Sequence, residues 1–101
     1  MNQMQQMMIQ AQKMQRELKK AQAELAQKEF VISKGGAVTV TVLGSKEIKS
    51  INIDKDAFEP ENKEMIEDMV ALAINEALAK INEESEAINE RITGQAGGFG
   101  F

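Results

Sequence analysis

Apolar and polar positions along this chain change period twice. Met4, Met7, Ala11, Met14, Leu18, Ala21 and Leu25 recur at alternating steps of three and four. That is the heptad seam of a helix packed along its length against another helix. Gln, Lys, Arg, Glu and Ala fill most of the gaps, and no Gly or Pro interrupts the first 28 positions, so the stretch predicts one long helix. The period then drops to two. Val38, Val40 and Val42 alternate with Thr39 and Thr41, the signature of a strand. Phe30-Val31-Ile32 and Ile48 to Ile53 read as flanking strands, with Gly35-Gly36 and Gly44-Ser45 as the hairpin turns between them.

Helical spacing returns after Asp54, in Ile66, Val70, Ala73, Ile74, Ala77, Leu78, Ile81, Ile88 and Ile92. Asp56 and Glu59 have the spacing of a capping box for a short turn, Pro60 suits the first position of a helix, and Glu61 and Glu64 suit its positive end. Arg91 and Gly94 read as its stop.

The predicted order is α-β-β-β-α, an α+β fold with a three-stranded antiparallel meander between two long helices. Residues 1–93 form its single domain and 94–101 a flexible Gly/Phe tail. A helix over the opening stretch would be about 40 Å long, whereas a compact domain of this size has a radius of gyration of about 13 Å. Both helices must overhang the sheet, and a lone chain has too little sheet to cover their stripes. A homodimer with projecting helices is expected.

Composition removes whole classes of chemistry. With no His and no Cys, the usual zinc sites and Ser/His or Cys/His nucleophile pairs cannot be built. The glycine pairs lack the strand–loop–helix context and Lys of a phosphate-binding loop. Neither an enzyme, a metal, a cofactor nor a small-molecule substrate is expected. No apolar run is long enough for a membrane span, and the amphipathic, Gln-rich start does not resemble a secretion signal, so a cytoplasmic protein is expected.

The net charge of −4 is unevenly distributed. Residues 1–28 hold five basic and two acidic side chains; residues 54–93 hold four basic and twelve acidic ones. On the first helix Lys13, Arg16, Lys19 and Lys20 project opposite the Met4–Leu25 seam. Such a ridge suits successive phosphates of a nucleic acid, although a solvated helix face is the ordinary explanation of surface lysines. Met-x-x-Met spacing can ligate Cu(I), but Met4, Met7 and Met14 are accounted for by the seam. Glu83, Glu84, Glu86 and Glu90 read as a solvated face without calcium-loop spacing.

Taken together, QMMIQAQKMQREL, GGAVTVTVLGSKEIKSINID, the Ile53-Asp54 junction and KEMIEDMVALAINEALAKI resemble the YbaB/EbfC family of bacterial nucleoid-associated proteins over about residues 3–93. The resemblance implies a small cytoplasmic homodimer with helices projecting like tweezer arms, binding double-stranded DNA in the nucleoid with little or modest sequence preference. It implies DNA contact from the terminal helices, hence from Lys13, Arg16, Lys19 and Lys20, with Lys80 and Arg91 as weaker candidates. Two other readings stand beside it: a prefoldin-like coiled-coil module that grips unfolded clients, using the seam with Phe99 and Phe101, and an adaptor whose acidic helix binds a basic protein.

Overall fold

The computed structural model describes residues 2–95. Helix α1 runs Gln3–Gln27, followed by strands β1 (Glu29–Lys34), β2 (Val38–Leu43) and β3 (Ile48–Ile53), two short 3₁₀ turns, and helix α2 (Lys63–Gln95). The α-β-β-β-α order is as the periodicities predict, and the sheet is an antiparallel meander ordered β1-β2-β3.

Strand alternation builds the core. Phe30 and Ile32 of β1 pair with Val42 and Val40 of β2, all on one face and all buried. Against that face lie Ile66, Ala73, Ala77 and Ile81 of α2. Ala73 and Ala77 are fully buried, and their small side chains let the helix backbone approach the sheet. Each fully buried Val or Ile contributes roughly 1.5–3 kcal/mol of transfer free energy. The helix covers β1 and β2; on β3, Ile48 and Ile51 keep 45% exposure each.

Turn chemistry explains how the strands connect. Gly35 and Gly36 have φ of 58° and 67°, the left-handed pair that a tight hairpin favours. At the other hairpin the left-handed residue is Lys46, with φ of 77°, so Gly44 is needed there for a different reason. A β-carbon on Gly44 would lie 1.8 Å from the Leu25 carbonyl oxygen. This close approach lets the turn satisfy the end of α1. Gly44 N–H donates to the Lys28 carbonyl at 2.9 Å and Ser45 N–H to that of Ala26 at 3.1 Å, taking acceptors that a helix terminus otherwise leaves open.

Two terminal signals fall elsewhere than the sequence suggests. Asp54, not Asp56, caps the first 3₁₀ turn, its Oδ1 accepting from the Asp56 N–H at 3.0 Å. Glu59 makes no side-chain cap; Pro60 opens the second 3₁₀ turn, which leads into α2. Gly94 does not stop α2, which continues to Gln95: one Gly costs a helix only about 1 kcal/mol, and Ile92, buried two residues earlier, holds the last turns in place. The expected tail, with Phe99 and Phe101, lies largely outside the described residues.

The described chain is a rod. Its principal extents are 71 × 23 × 14 Å and its radius of gyration is 20.0 Å, far above that of a compact chain of similar length. Among the described residues, no helix is long and apolar enough to cross a membrane.

Candidate nucleic-acid interface

Helix α1 is held at one end and free at the other. Asn2 starts it with a reciprocal capping box: Asn2 Oδ1 accepts from Gln5 N–H at 2.8 Å, and Gln5 Oε1 from Asn2 N–H at 3.3 Å. Toward the other end it lies antiparallel to the last turns of α2. Gln22 Nε2 donates to the Ser85 carbonyl at 3.4 Å and to Asn89 Oδ1 at 3.2 Å, while Ser85 Oγ donates to Gln22 Oε1 at 3.3 Å. Lys28 bridges Glu84 at 2.5 Å and sits 5.2 Å from the Phe30 ring centroid.

Along the predicted seam, Leu25 is buried and Met14, Leu18 and Ala21 are half-buried, whereas Met4, Met7 and Ala11 are exposed. Among the described residues, the seam is therefore partnered only over its second half. Every residue from Asn2 to Lys13 is exposed, so the first three turns of α1 stand clear of the other described residues.

Lys13, Arg16, Lys19 and Lys20 are all exposed. Among the described residues, no carboxylate lies within ion-pair distance of any of the four. Five of the other seven lysines differ, while Lys46 and Lys55 also have no carboxylate within that distance among the described residues. Lys28 pairs with Glu84, Lys34 with Glu76, Lys49 with Glu29, Lys63 with Glu67, and Lys80 with Glu76 across one helical turn at 4.0 Å. These pairs are partly exposed and individually weak, but they lower the charge each lysine presents to a distant anion. Lys34, hydrogen-bonded to Glu76, holds that carboxyl below its ordinary value, with Lys80 adding a smaller effect and partial burial opposing both.

The structure thus brings four of the six predicted cations onto one helix. Arg91 reaches this neighbourhood across the helix pair, lining a groove with Glu17, Lys20, Ala21, Glu24 and Ile92. Lys80 does not; it lies beside β1 with Lys28, Glu29 and Glu83. Sequence reasoning passed over Gln22, whose bonds fix the axial position of α1 against α2. Its partners lie 63 and 67 residues away, and no local pattern marks such a pair.

A model of the YbaB/EbfC DNA-binding family matches residues 1–96. The chain belongs to that family. It is 48% identical over 89 residues to a nucleoid-associated protein of Clostridium novyi, covering 87% of this chain and 78% of that one. It is 49% identical over 80 residues to a nucleoid-associated protein of Lachnospira eligens, covering 78% and 69%. A nucleoid-associated protein of Enterococcus faecalis is 42% identical over 100 residues, 98% of this chain and 96% of that one.

Proposed function

We propose that the protein is a homodimeric, nucleoid-associated DNA-binding protein of the bacterial cytoplasm. It grips the duplex mainly through phosphates, with little or modest sequence preference, and so influences the expression of nearby genes. The observation that carries this reading is the set Lys13, Arg16, Lys19 and Lys20, exposed on a projecting helix and without carboxylate partners among the described residues, in a chain of the DNA-binding family. Arg91 contributes at the edge of that surface, and Lys80 less because Glu76 engages it. Each neutralised phosphate releases counterions, so affinity falls steeply with salt.

Apolar surface left open by the single chain supports the dimer. Phe58 is 73% exposed beside Pro60 and Ile66 in a cleft of about 420 Å³, and Ile48 and Ile51 on β3 stay 45% exposed. A second copy burying this region leaves both α1 helices free to straddle a duplex.

The test is fluorescence anisotropy on a random-sequence duplex across a salt series. The wild type is expected to show a log–log slope steeper than about −3. Replacing Lys13, Arg16, Lys19 and Lys20 together by Gln should weaken binding to every sequence alike and leave the oligomeric state unchanged. Unaltered binding by that variant overturns the assignment.

A further inference from the structure

We propose that the free-standing turns of α1, Gln3 to Lys13, enter the major groove of the duplex and that Ile9 there contacts thymine methyl groups. This deepens the DNA-binding reading and rests on it.

Three observations converge. The first is shape. A single helix with its side chains is about 10–12 Å across, and the major groove of B-DNA is about 12 Å wide. Among the described residues, only the turns before Met14 stand alone; the rod as a whole measures 23 × 14 Å in cross-section, too broad to enter. The second is charge. The chain carries 16 acidic residues, yet none precedes Glu17, so nothing on the free turns repels a phosphate lining the groove. The third is the placement of an apolar side chain. Ile9, Lys13, Arg16 and Lys20 follow one another at steps of four, three and four, which puts them in one row on the face opposite the seam.

Ile9 is 47% exposed in that row and is not among the described residues of the hydrophobic core. The row has an order: an apolar residue toward the tip, then three cations toward the base. With the tip in the groove, Lys13, Arg16 and Lys20 reach the phosphates at its rim, and Ile9 meets the base edges. Thymine is the base that presents a methyl group there. Gln12, exposed one turn along, adds an amide of the kind that pairs with adenine N6 and N7. The outcome is a modest preference for A·T pairs on top of phosphate binding.

The experiment compares two A·T-rich duplexes of identical sequence, one with thymine and one with uracil throughout, which differ only in the methyl groups. Wild-type protein is expected to bind the thymine duplex about fourfold more tightly, the effect of burying one methyl-sized apolar group. Ile9→Ala should abolish that preference while keeping the salt slope, and Ile9→Val should retain most of it. Equal wild-type affinity for both duplexes, with a normal salt slope, overturns groove reading and leaves phosphate binding standing. A preference that survives in Ile9→Ala also overturns it. Absence of binding to either duplex at low salt removes both readings.

Discussion

The Leu25 carbonyl oxygen occupies the space in which any side chain on Gly44 would begin, 1.8 Å from the position of a β-carbon. The neighbours are backbone atoms and cannot swing away as a flexible side chain would. Gly44→Ala must therefore move the hairpin off the end of α1 and break the bonds from Gly44 and Ser45 to Lys28 and Ala26. A loss of about 3 kcal/mol is expected, read as a lower urea midpoint.

Lys46, two residues along the same turn, should respond in the opposite direction. It holds a left-handed conformation, which costs a residue with a β-carbon roughly 1–2 kcal/mol. Lys46→Gly removes that strain but adds freedom to the unfolded chain. A net gain of up to about 1 kcal/mol is expected in the same urea titration.

These two positions mark the limit of what the sequence discloses. Gly44-Ser45 is legible as a turn because glycine and serine punctuate two β-branched runs. That the glycine serves a helix end 19 residues earlier is a tertiary fact, and no local pattern carries it. The cationic face of α1 was legible for the same reason as the seam, since both follow from a period of 3.6. Which lysines stay unpaired was not, because Lys28 finds Glu84 and Lys34 finds Glu76 only once α2 lies across β1 and β2. The seam likewise gave no sign that α2 would cover only its second half, because a heptad pattern states where a partner fits and not how far it extends.

Single substitutions should separate the cations by their surroundings. Each of Lys13→Gln, Arg16→Gln and Lys20→Gln is expected to reduce the magnitude of the salt slope by about 0.9, one phosphate contact each. Lys80→Gln should change it less, since Glu76 already holds that ammonium. Anisotropy at four salt concentrations is enough to resolve the difference.

Glu76 predicts a pH dependence of folding. Its pKa is lowered from the ordinary 4.5, first by the hydrogen bond from Lys34 and then by the charges of Lys34 and Lys80. A carboxyl depressed in the folded state adds stability that is fully present above its unfolded value and fades as pH falls through the folded one. Glu76→Gln should therefore flatten the decline of stability below pH 4.5, measured by urea midpoints from pH 6 downward. Lys34→Gln should produce the same flattening.

Core substitutions should follow burial. Ile81, 1% exposed between α2 and the strands, is expected to lose about 2–5 kcal/mol on truncation to Ala. Met4→Ala, 71% exposed, should change the stability of a single chain by less than about 0.5 kcal/mol. A larger loss at Met4 that grows with protein concentration would place a second copy on the open half of the seam.

The linear arrangement of the molecule gives it a head and a tail in the electrical sense. Lys13 and Arg16 lie near the free end of α1, while Asp54, Asp56, Glu59, Glu61, Glu64, Glu67 and Asp68 gather where α2 begins, toward the opposite end of a 71 Å rod. In the field of a polyanion such a rod experiences a torque before it makes any contact, so it arrives with its cationic arm leading.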